Sequence, residues 1–136
     1  DRLSRVALGD HGEVIGWVGA LPEYAGRVWE LHPLVVHPSH RRQGVGRALV
    51  SDLEGQVRAR GALTLLLGTD DEDQRTTLSG HPLYPNVLDH LVNIQNLHEH
   101  PYEFYQKLGF VIVGVVPDAN GIGKPDILMA KSLAPT

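Results

Sequence analysis

The sequence predicts an α/β (α+β) domain in which helices pack on a central sheet. Three observations support this fold class: short β-branched apolar segments at both ends, one strongly amphipathic helix at residues 44–60, and turn residues between the segments. Strands before and after two central helices are typical of one sheet covered by helices. With 136 residues, 42% of them hydrophobic and 21% charged, residues 1–136 are expected to form one domain.

The first part of the chain predicts three strands. Residues 3–8 show an apolar alternation that is typical of an interior strand. Turn residues at 10–12 precede a second strand over residues 13–21, and together they predict a hairpin. Residues 28–37 predict a third strand, which contains Pro33. Because proline cannot donate a ladder hydrogen bond, this strand is expected to bulge or splay at Pro33.

Residues 44–60 give the clearest helix in the sequence. Its apolar side chains form one stripe, Glu54 is expected on the opposite, exposed face, and Gly61 follows the end of the helix. The later segments are predicted in this order: a buried strand over 63–67, a polar loop over 68–86, a helix over 87–97, a short helix over 101–108, and strands over 110–116 and 127–130 joined by a glycine-rich loop over 118–124.

Composition and charge exclude several classes of function. The chain has no cysteine, which excludes disulfides, thiolate metal sites and a cysteine nucleophile within it. Its net charge of -4 disfavours nucleic acid and favours cationic partners. Neither a membrane-spanning apolar run nor a secretory leader is present, so a cytoplasmic protein without a membrane partner is expected. His98 and His100 alone make a weak metal motif, and no metal site is predicted.

A glycine-containing, basic segment lies between the third strand and the amphipathic helix. Gly44 and Gly46 allow close approach of a ligand to the backbone, and the first-turn amides of the helix have no intrahelical acceptor. A turn with solvated arginines is the alternative interpretation. A dinucleotide fingerprint would need a third glycine where Leu49 stands, and a Walker loop would need Gly-Lys-Ser/Thr. The predicted diphosphate-binding residues are Arg41, Arg42, Gln43, Gly44, Val45, Gly46 and Arg47.

Two motifs carry a resemblance to a known superfamily. The Arg-x-x-Gly-x-Gly segment at residues 41–46 and the Tyr-x-x-x-Gly-Phe segment at residues 105–110 resemble the GNAT superfamily of N-acetyltransferases. The resemblance implies a mixed, mostly antiparallel sheet, splayed at its middle and flanked by helices, with acetyl-CoA as co-substrate. His98 stands where the superfamily often has asparagine. The N-terminal strand and helices of the family have no counterpart, so a segment before Asp1 is expected to be missing.

Longer blocks resemble the aminoglycoside 6'-N-acetyltransferases, particularly the chromosomal enterococcal type. The resemblance implies transfer of an acetyl group to a primary amine, most closely the 6'-amine of an aminoglycoside antibiotic, and a homodimer. Such an acceptor is a cationic small molecule, and its acetylation would confer resistance. The blocks that carry this resemblance are residues 29–36, 67–71, 94–97, 99–105 and 124–127.

The resemblance also implies roles for individual residues. Glu30 would accept the amine proton, the Leu34 N–H would bind the thioester carbonyl, and Tyr105 would protonate the departing thiolate. The backbone amides of Leu34, Val35 and Val36 would pair with the pantetheine arm. The residues expected to contact the acceptor amine are Tyr24, Glu30, His37 and Asp73.

Each of these roles has an alternative. Tyr105 could be a core aromatic, Glu30 a strand-surface carboxylate, and His32 a rival to Glu30. The acidic loop at residues 70–73 could supply a field for a polycationic acceptor, or it could be an ordinary solvated loop. A polyamine, a peptide N-terminus or a lysine could replace the aminoglycoside as acceptor. A module that binds acyl-CoA without turnover is the non-enzymatic alternative.

Overall fold

The computed structural model describes residues 1–135. Within this range the chain forms six strands, three α-helices and two short turns of 3-10 type. The elements, in chain order, are β1 (Leu3–Leu8), β2 (Val14–Glu23), a turn at Tyr24–Gly26, β3 (Val28–Val36), a turn at Pro38–His40, α1 (Val45–Ala59), β4 (Thr64–Asp70), α2 (Val87–Val92), α3 (Tyr102–Lys107), β5 (Val111–Val116) and β6 (Asp126–Ser132).

The predicted fold class is confirmed. The strands form one mixed sheet in the order β1-β2-β3-β4-β6-β5, in which β3 and β4 are parallel and the pairs β1/β2, β2/β3 and β5/β6 are antiparallel. The parallel ladder joins Val28–Glu30 to residues 64–66. The chain divides within β4 into two compact units, Asp1–Leu66 with the segment from Ser132, and Leu67–Lys131. That the chain forms one domain, with a sheet splayed at its middle, stays a prediction.

In the first unit α1 packs on one face of β2 and β3. A Cβ on Gly16 would lie 2.9 Å from Leu49 and 3.1 Å from Val45, so glycine at this position lets α1 approach the sheet closely. Because side chains alternate along a strand, the buried Val18 and Ala20 share this face. Leu21, which pairs with Glu30, points to the other face. Glu30 therefore lies on the face opposite α1.

The expected interruption of β3 at Pro33 is confirmed. Val18 pairs with Leu34 and Ala20 with Leu31, so one residue of β2, Gly19, lies opposite two residues of β3. This is a β-bulge formed by the His32–Pro33 dipeptide. A Cβ on Gly19 would come 2.7 Å from the carbonyl oxygen of His32, so the bulge requires glycine on the facing strand.

Two details of the first unit differ from the sequence-based expectation. β1 is an edge strand of the described sheet, and not an interior one; its Val6 and Leu8 side chains are 53% and 59% exposed. The half-buried positions of β1 are Leu3, Arg5 and Ala7, so Val6 and Leu8 lie on its exposed face. In α1, Glu54 is buried together with Leu53 and Val57, although the sequence predicted it on the exposed face. The buried stripe is wider than the apolar stripe that defined the helix.

In the second unit, β4 and α2 have different bounds from the prediction. β4 continues to Asp70, so the loop was predicted to begin three residues too early. α2 ends at Val92, where Asn93 donates its side-chain amide to the Asp89 carbonyl at 2.8 Å. Residues 95–98 leave the helical path because they pair with residues 75–77; the Leu97 amide, for example, donates to the Arg75 carbonyl at 2.8 Å. A helix prediction from local pattern does not contain this long-range pairing.

Candidate active site

The N-terminus of α1 has the geometry of an anion-binding site. Gly44, the N-cap residue, has φ of 80°, and no side chain caps the first-turn amides. The first turn carries no acidic residue. Free amides at the positive end of the helix dipole favour a bound anion. The predicted diphosphate-binding residues all lie in this turn and the exposed segment before it, and the residues present fit the pyrophosphate of a coenzyme.

The register of β2 and β3 fixes the direction of the β3 amides. The His37 amide donates to the Ile15 carbonyl at 2.7 Å, so these residues form a hydrogen-bonded pair. Hydrogen-bonded pairs alternate along an antiparallel ladder. The register 16/36, 17/35 and 18/34 therefore directs the Val35 N–H toward β2 and the N–H groups of Leu34 and Val36 away from it. Of the three predicted amides, those of Leu34 and Val36 face the edge where an extended ligand arm could add.

Glu30 lies half-buried beside a second carboxylate. Burial raises the pKa of Glu30, and the neighbouring Glu23 raises it further through a hydrogen bond and through charge repulsion, whereas His32 opposes the shift. A carboxylate with a raised pKa is a stronger base than an exposed one. The structure thus brings Glu23, Glu30 and His32 together on the face opposite α1.

The turn after β2 places Tyr24 at the same end of β3. Tyr24, Ala25 and Gly26 have φ values of 50°, 57° and 81°, so all three lie in the left-handed region. Non-glycine residues rarely adopt this conformation, and it is commonest at functional sites. The Tyr24 side chain is 75% exposed and directly follows Glu23 in the chain. Its contact with an acceptor stays a prediction.

His37 lies at the other end of β3, and the structure does not bring it to Glu30. The two residues are seven positions apart along strand and bulge, which corresponds to roughly 20 Å. The Nδ1 atom of His37 accepts a hydrogen bond from the Ser39 amide at 3.2 Å, and the Ser39 hydroxyl lies 2.8 Å from the same atom and 3.0 Å from His40 Nδ1. His37 thus belongs to the turn that leads into residues 41–47, the predicted diphosphate-binding segment, called the diphosphate loop below.

Tyr105 lies on α3 in the second unit. Its ring makes edge-on contacts with Phe104 and Phe110, with centroids 5.1 and 5.7 Å away. Burial raises the pKa of its hydroxyl, so Tyr105 is protonated at neutral pH. A protonated phenol can donate a proton or a hydrogen bond. Sequence position alone did not indicate this aromatic packing, which fixes the direction of the ring.

The acidic loop after β4 is organised by one buried carboxylate. Asp71 Oδ1 accepts hydrogen bonds from the amides of Asp73 (3.4 Å) and Arg75 (3.0 Å), and Oδ2 accepts from the amide and hydroxyl of Thr76 (2.7 and 2.8 Å). Burial acts to raise the pKa of Asp71, but these hydrogen bonds outweigh it and lower the pKa. Asp73 is exposed and held at its backbone, so its carboxylate can meet a cation.

His100 connects the end of β4 to the start of α3. Its Nδ1 accepts from the Tyr102 amide at 3.0 Å, so Nε2 carries the proton and donates to the Asp70 carbonyl at 2.8 Å. Asn96 bonds both the N–H and the C=O of His100, at 2.8 and 3.0 Å. A second proton would have to sit on Nδ1, where it would face the Tyr102 N–H, which is itself a donor. His100 is therefore built to be neutral.

This geometry predicts a pH-dependent stability. Burial lowers the pKa of His100, the charge of Arg75 acts in the same direction, and the Asp70 carbonyl with Asp71 and Asp73 opposes it. Since the folded pKa is below the unfolded value, the unfolded chain binds more protons, and stability should fall as pH decreases below about 6.5. The free energy of unfolding, measured with a denaturant, should depend on pH with a slope of at most about 1.4 kcal/mol per pH unit from His100. The slope should vanish in His100→Gln and persist in the exposed control His98→Gln; its persistence in both variants would contradict the prediction.

Sequence reasoning did not assign site roles to Glu23, Asp71 and His100. The neighbour of Glu23 on the sheet, Glu30, is seven residues away in the chain, so local sequence did not connect them. Within residues 1–135 no group of three or more His, Asp or Glu side chains could hold a metal ion. In the same range no helix is long and apolar enough to cross a membrane.

Comparison with known proteins adds to this geometry. The model of the Acetyltransferase (GNAT) family matches residues 2–84. A crystal structure of aminoglycoside 6'-N-acetyltransferase complexed with coenzyme A is similar, with 52% identity, a TM-score of 0.94, and coverage of 99% of this chain and 74% of that chain. The aminoglycoside 6'-N-acetyltransferase from Enterococcus faecium gives 52% identity, a TM-score of 0.93 and the same coverage.

A third solved structure, aminoglycoside 6'-acetyltransferase type Ii, is 44% identical, with a TM-score of 0.74 and coverage of 99% of this chain and 71% of that chain. Comparison with curated protein sequences gave no match.

Proposed function

Because the chain belongs to the acetyltransferase (GNAT) family, we propose that it transfers an acetyl group from acetyl-CoA to the 6'-amine of aminoglycoside antibiotics and so confers resistance to them. The observation that carries the proposal is the combination of an uncapped helix N-terminus after Gly44 with a bulged β3 whose Leu34 and Val36 amides face away from β2. The first feature suits a pyrophosphate and the second suits a pantetheine arm.

The chemistry assigns one task to each candidate catalytic group. The substrate enters as an ammonium ion, and Glu30 takes one proton so that the nitrogen lone pair becomes available. The nitrogen attacks the thioester carbon, and the Leu34 N–H stabilises the charge that develops on its oxygen. The carbon–sulfur bond then breaks and Tyr105 gives its proton to the thiolate, while the nitrogen loses its second proton to water and the Tyr105 oxygen regains one from water. The products are an amide, a free thiol and one proton released to water.

The acceptor should be a polycation. Tyr24 and Glu30 are proposed to contact the reacting amine, and Asp73 a second ammonium group. His37 lies beside the diphosphate loop and not beside Glu30, so its proposed contact is to a part of the acceptor remote from the reacting amine. Similarity to structures of aminoglycoside 6'-N-acetyltransferases at 52% identity supports this choice of acceptor.

A thiol-release assay with a panel of amines tests the proposal. Kanamycin-type aminoglycosides with a free 6'-amine should release coenzyme A thiol from acetyl-CoA, and analogues without that amine should not. Turnover of only spermine, peptides or lysine would overturn the aminoglycoside assignment and leave the family chemistry. Binding of acetyl-CoA by calorimetry without thiol release from any amine would favour the non-catalytic alternative.

Tyr105→Phe should lower kcat by about tenfold and leave acetyl-CoA affinity unchanged. The variant keeps the ring packing on Phe110 and loses only the hydroxyl. Its effect should be modest, because a thiol with a pKa of about 8.5 leaves readily without an acid. Steady-state kinetics and calorimetry on the same preparations measure the two quantities. An equal loss of kcat and of acetyl-CoA affinity would contradict the role of Tyr105 as an acid.

A homodimer in the cytoplasm completes the proposal. The edge strand β5 supports the dimer, since its Val111, Val113 and Val116 side chains are 60%, 55% and 44% exposed. A cytoplasmic location goes with the use of acetyl-CoA, a product of metabolism inside the cell. Sedimentation equilibrium should give twice the mass of the chain, and a single-chain mass would contradict the dimer.

A further inference from the structure

The inference concerns Glu23 and rests on the proposed function. Glu23 and Glu30 are diagonal neighbours across the antiparallel pair β2/β3: Leu21 pairs with Glu30, and Glu23 lies two residues beyond Leu21. Diagonal neighbours of this kind lie on the same face and within reach of long side chains. Glu23 is close enough to Glu30 to raise the pKa of that carboxyl through its side chain and its like charge.

Few other charged groups surround this pair in the first unit. His32, on β3 itself, opposes the negative charge of the pair. Arg2 donates a hydrogen bond to the His32 carbonyl and lies over the Trp17 ring. On α1, Asp52 is paired with Arg5 at 2.5 Å; these side chains lie on the opposite face of the sheet from Glu30. From β4, the residues paired with Val28–Glu30 are Thr64, Leu65 and Leu66, none of which carries a charge.

Two carboxylates in contact cannot both be charged without a strong repulsion, and they bind one proton between them more tightly than either alone. Both side chains are half-buried, which strengthens this effect. We propose that Glu23 is a positioning residue for Glu30: it accepts a hydrogen bond from protonated Glu30, so that the pair together takes up the proton of the incoming ammonium group.

The proton balance of this step is simple. One N–H bond of the ammonium group breaks, and its electron pair stays on nitrogen. An O–H bond forms on Glu30 and donates to the Glu23 carboxylate. Water removes the proton before the next turnover. Glu23 touches neither cofactor nor the reacting carbon in this scheme, and it acts through Glu30.

Glu23→Gln should displace the acidic limb of the kcat/KM profile toward lower pH. Glutamine has the same shape but cannot repel Glu30, and its amide donates to the Glu30 carboxylate, so the pKa of Glu30 falls. The ratio of kcat/KM at about pH 5.5 to that at about pH 8 should rise by roughly threefold to tenfold. Glu13→Gln is the control: it makes the same charge change at an exposed residue directly before β2, and it should leave the ratio unchanged.

A second measurement does not depend on activity. In the wild-type protein the carboxyl carbon-13 signal of Glu30 should titrate above the range of an exposed glutamate, because burial and the neighbouring Glu23 raise its pKa. In Glu23→Gln the signal of Glu30 should titrate at lower pH. An unchanged titration of Glu30 in a variant with wild-type circular dichroism would overturn the inference, whatever the acceptor proves to be. Loss of turnover with every amine, together with a titration of Glu30 that is raised in the wild type and lowered in Glu23→Gln, would instead contradict only the proposed function.

Discussion

Glu30→Gln is expected to lower kcat/KM for the amine by about 10²- to 10⁴-fold at neutral pH, which is the range for loss of a general base. The glutamine side chain has nearly the same size but cannot accept the proton of an ammonium group. The acidic limb of the pH profile should disappear with it. Affinity for acetyl-CoA should not change, because the diphosphate loop lies beyond the other end of β3.

The same substitution should not destabilise the fold. The folded pKa of Glu30 is raised, chiefly by burial and then by Glu23. A folded protein with such a carboxyl group becomes less stable as pH rises from the unfolded pKa of the group, about 4.3, through its higher folded pKa. A neutral glutamine removes this cost. Thermal unfolding at pH 7.5 should therefore occur at an equal or higher temperature in Glu30→Gln than in the wild type, as expected for a residue kept for function.

Two comparisons separate this role from its alternatives. Glu13→Gln is the matched control for charge, and it should retain both activity and pH profile. His32→Gln tests the neighbouring rival: if His32 were the base, its substitution would cost more kcat/KM than Glu30→Gln does. If Glu30→Gln retained the wild-type kcat/KM, Glu30 would not be the base and would be only a strand-surface carboxylate.

The parts of the fold that the sequence predicted are those with local causes. Amphipathic periodicity indicated α1, and Pro33 indicated the bulge in β3, because a proline removes a ladder donor wherever it stands. The second helix was predicted too long because residues 95–98 pair with residues 75–77, and this contact has no local signal. The burial of Glu54 likewise depends on how α1 sits on the sheet.

The candidate site divides in the same way. The anion-binding geometry at the start of α1 could be predicted because glycine, arginine and a helix start are contiguous in sequence. The direction of the Leu34 amide could not, since it depends on which residue of β2 faces it. The contact between Glu23 and Glu30 and the network of His100 also depend on register and on distant turns. Local pattern therefore indicated the candidate cofactor loop, and only the structure indicated which groups lie beside Glu30.

Asp71→Ala is expected to reduce the free energy of unfolding by about 3–5 kcal/mol, the second of the two largest effects. Its buried carboxylate accepts four hydrogen bonds from residues 73–76, two of them from Thr76, which is itself buried. Alanine would leave these donors without partners, and each buried, unsatisfied donor costs about 1–3 kcal/mol. Urea unfolding at pH 7.5 measures the loss.

The neighbouring Asp70 offers a matched control. Its exposed carboxylate accepts one hydrogen bond, from the Asn120 side-chain amide at 2.6 Å, so Asp70→Asn should change stability by less than about 1 kcal/mol. The lowered pKa of Asp71 adds a second signature. The ionised Asp71 carboxylate stabilises the fold fully above its unfolded pKa of about 3.9, and this stabilisation is lost as pH falls through its lower folded pKa. The difference in free energy of unfolding between wild type and Asp71→Ala should therefore shrink in strong acid.

The loop that Asp71 organises also carries Asp73, so the substitution should act on the acceptor more than on the cofactor. Below the unfolding temperature, Asp71→Ala is expected to raise KM for a polycationic amine, because Asp73 no longer has a fixed backbone position. The affinity for acetyl-CoA measured by calorimetry should be retained, since the proposed diphosphate loop belongs to the other compact unit. An unchanged KM in a destabilised Asp71→Ala variant would show that Asp73 does not contact the acceptor and would remove this loop from the proposed site.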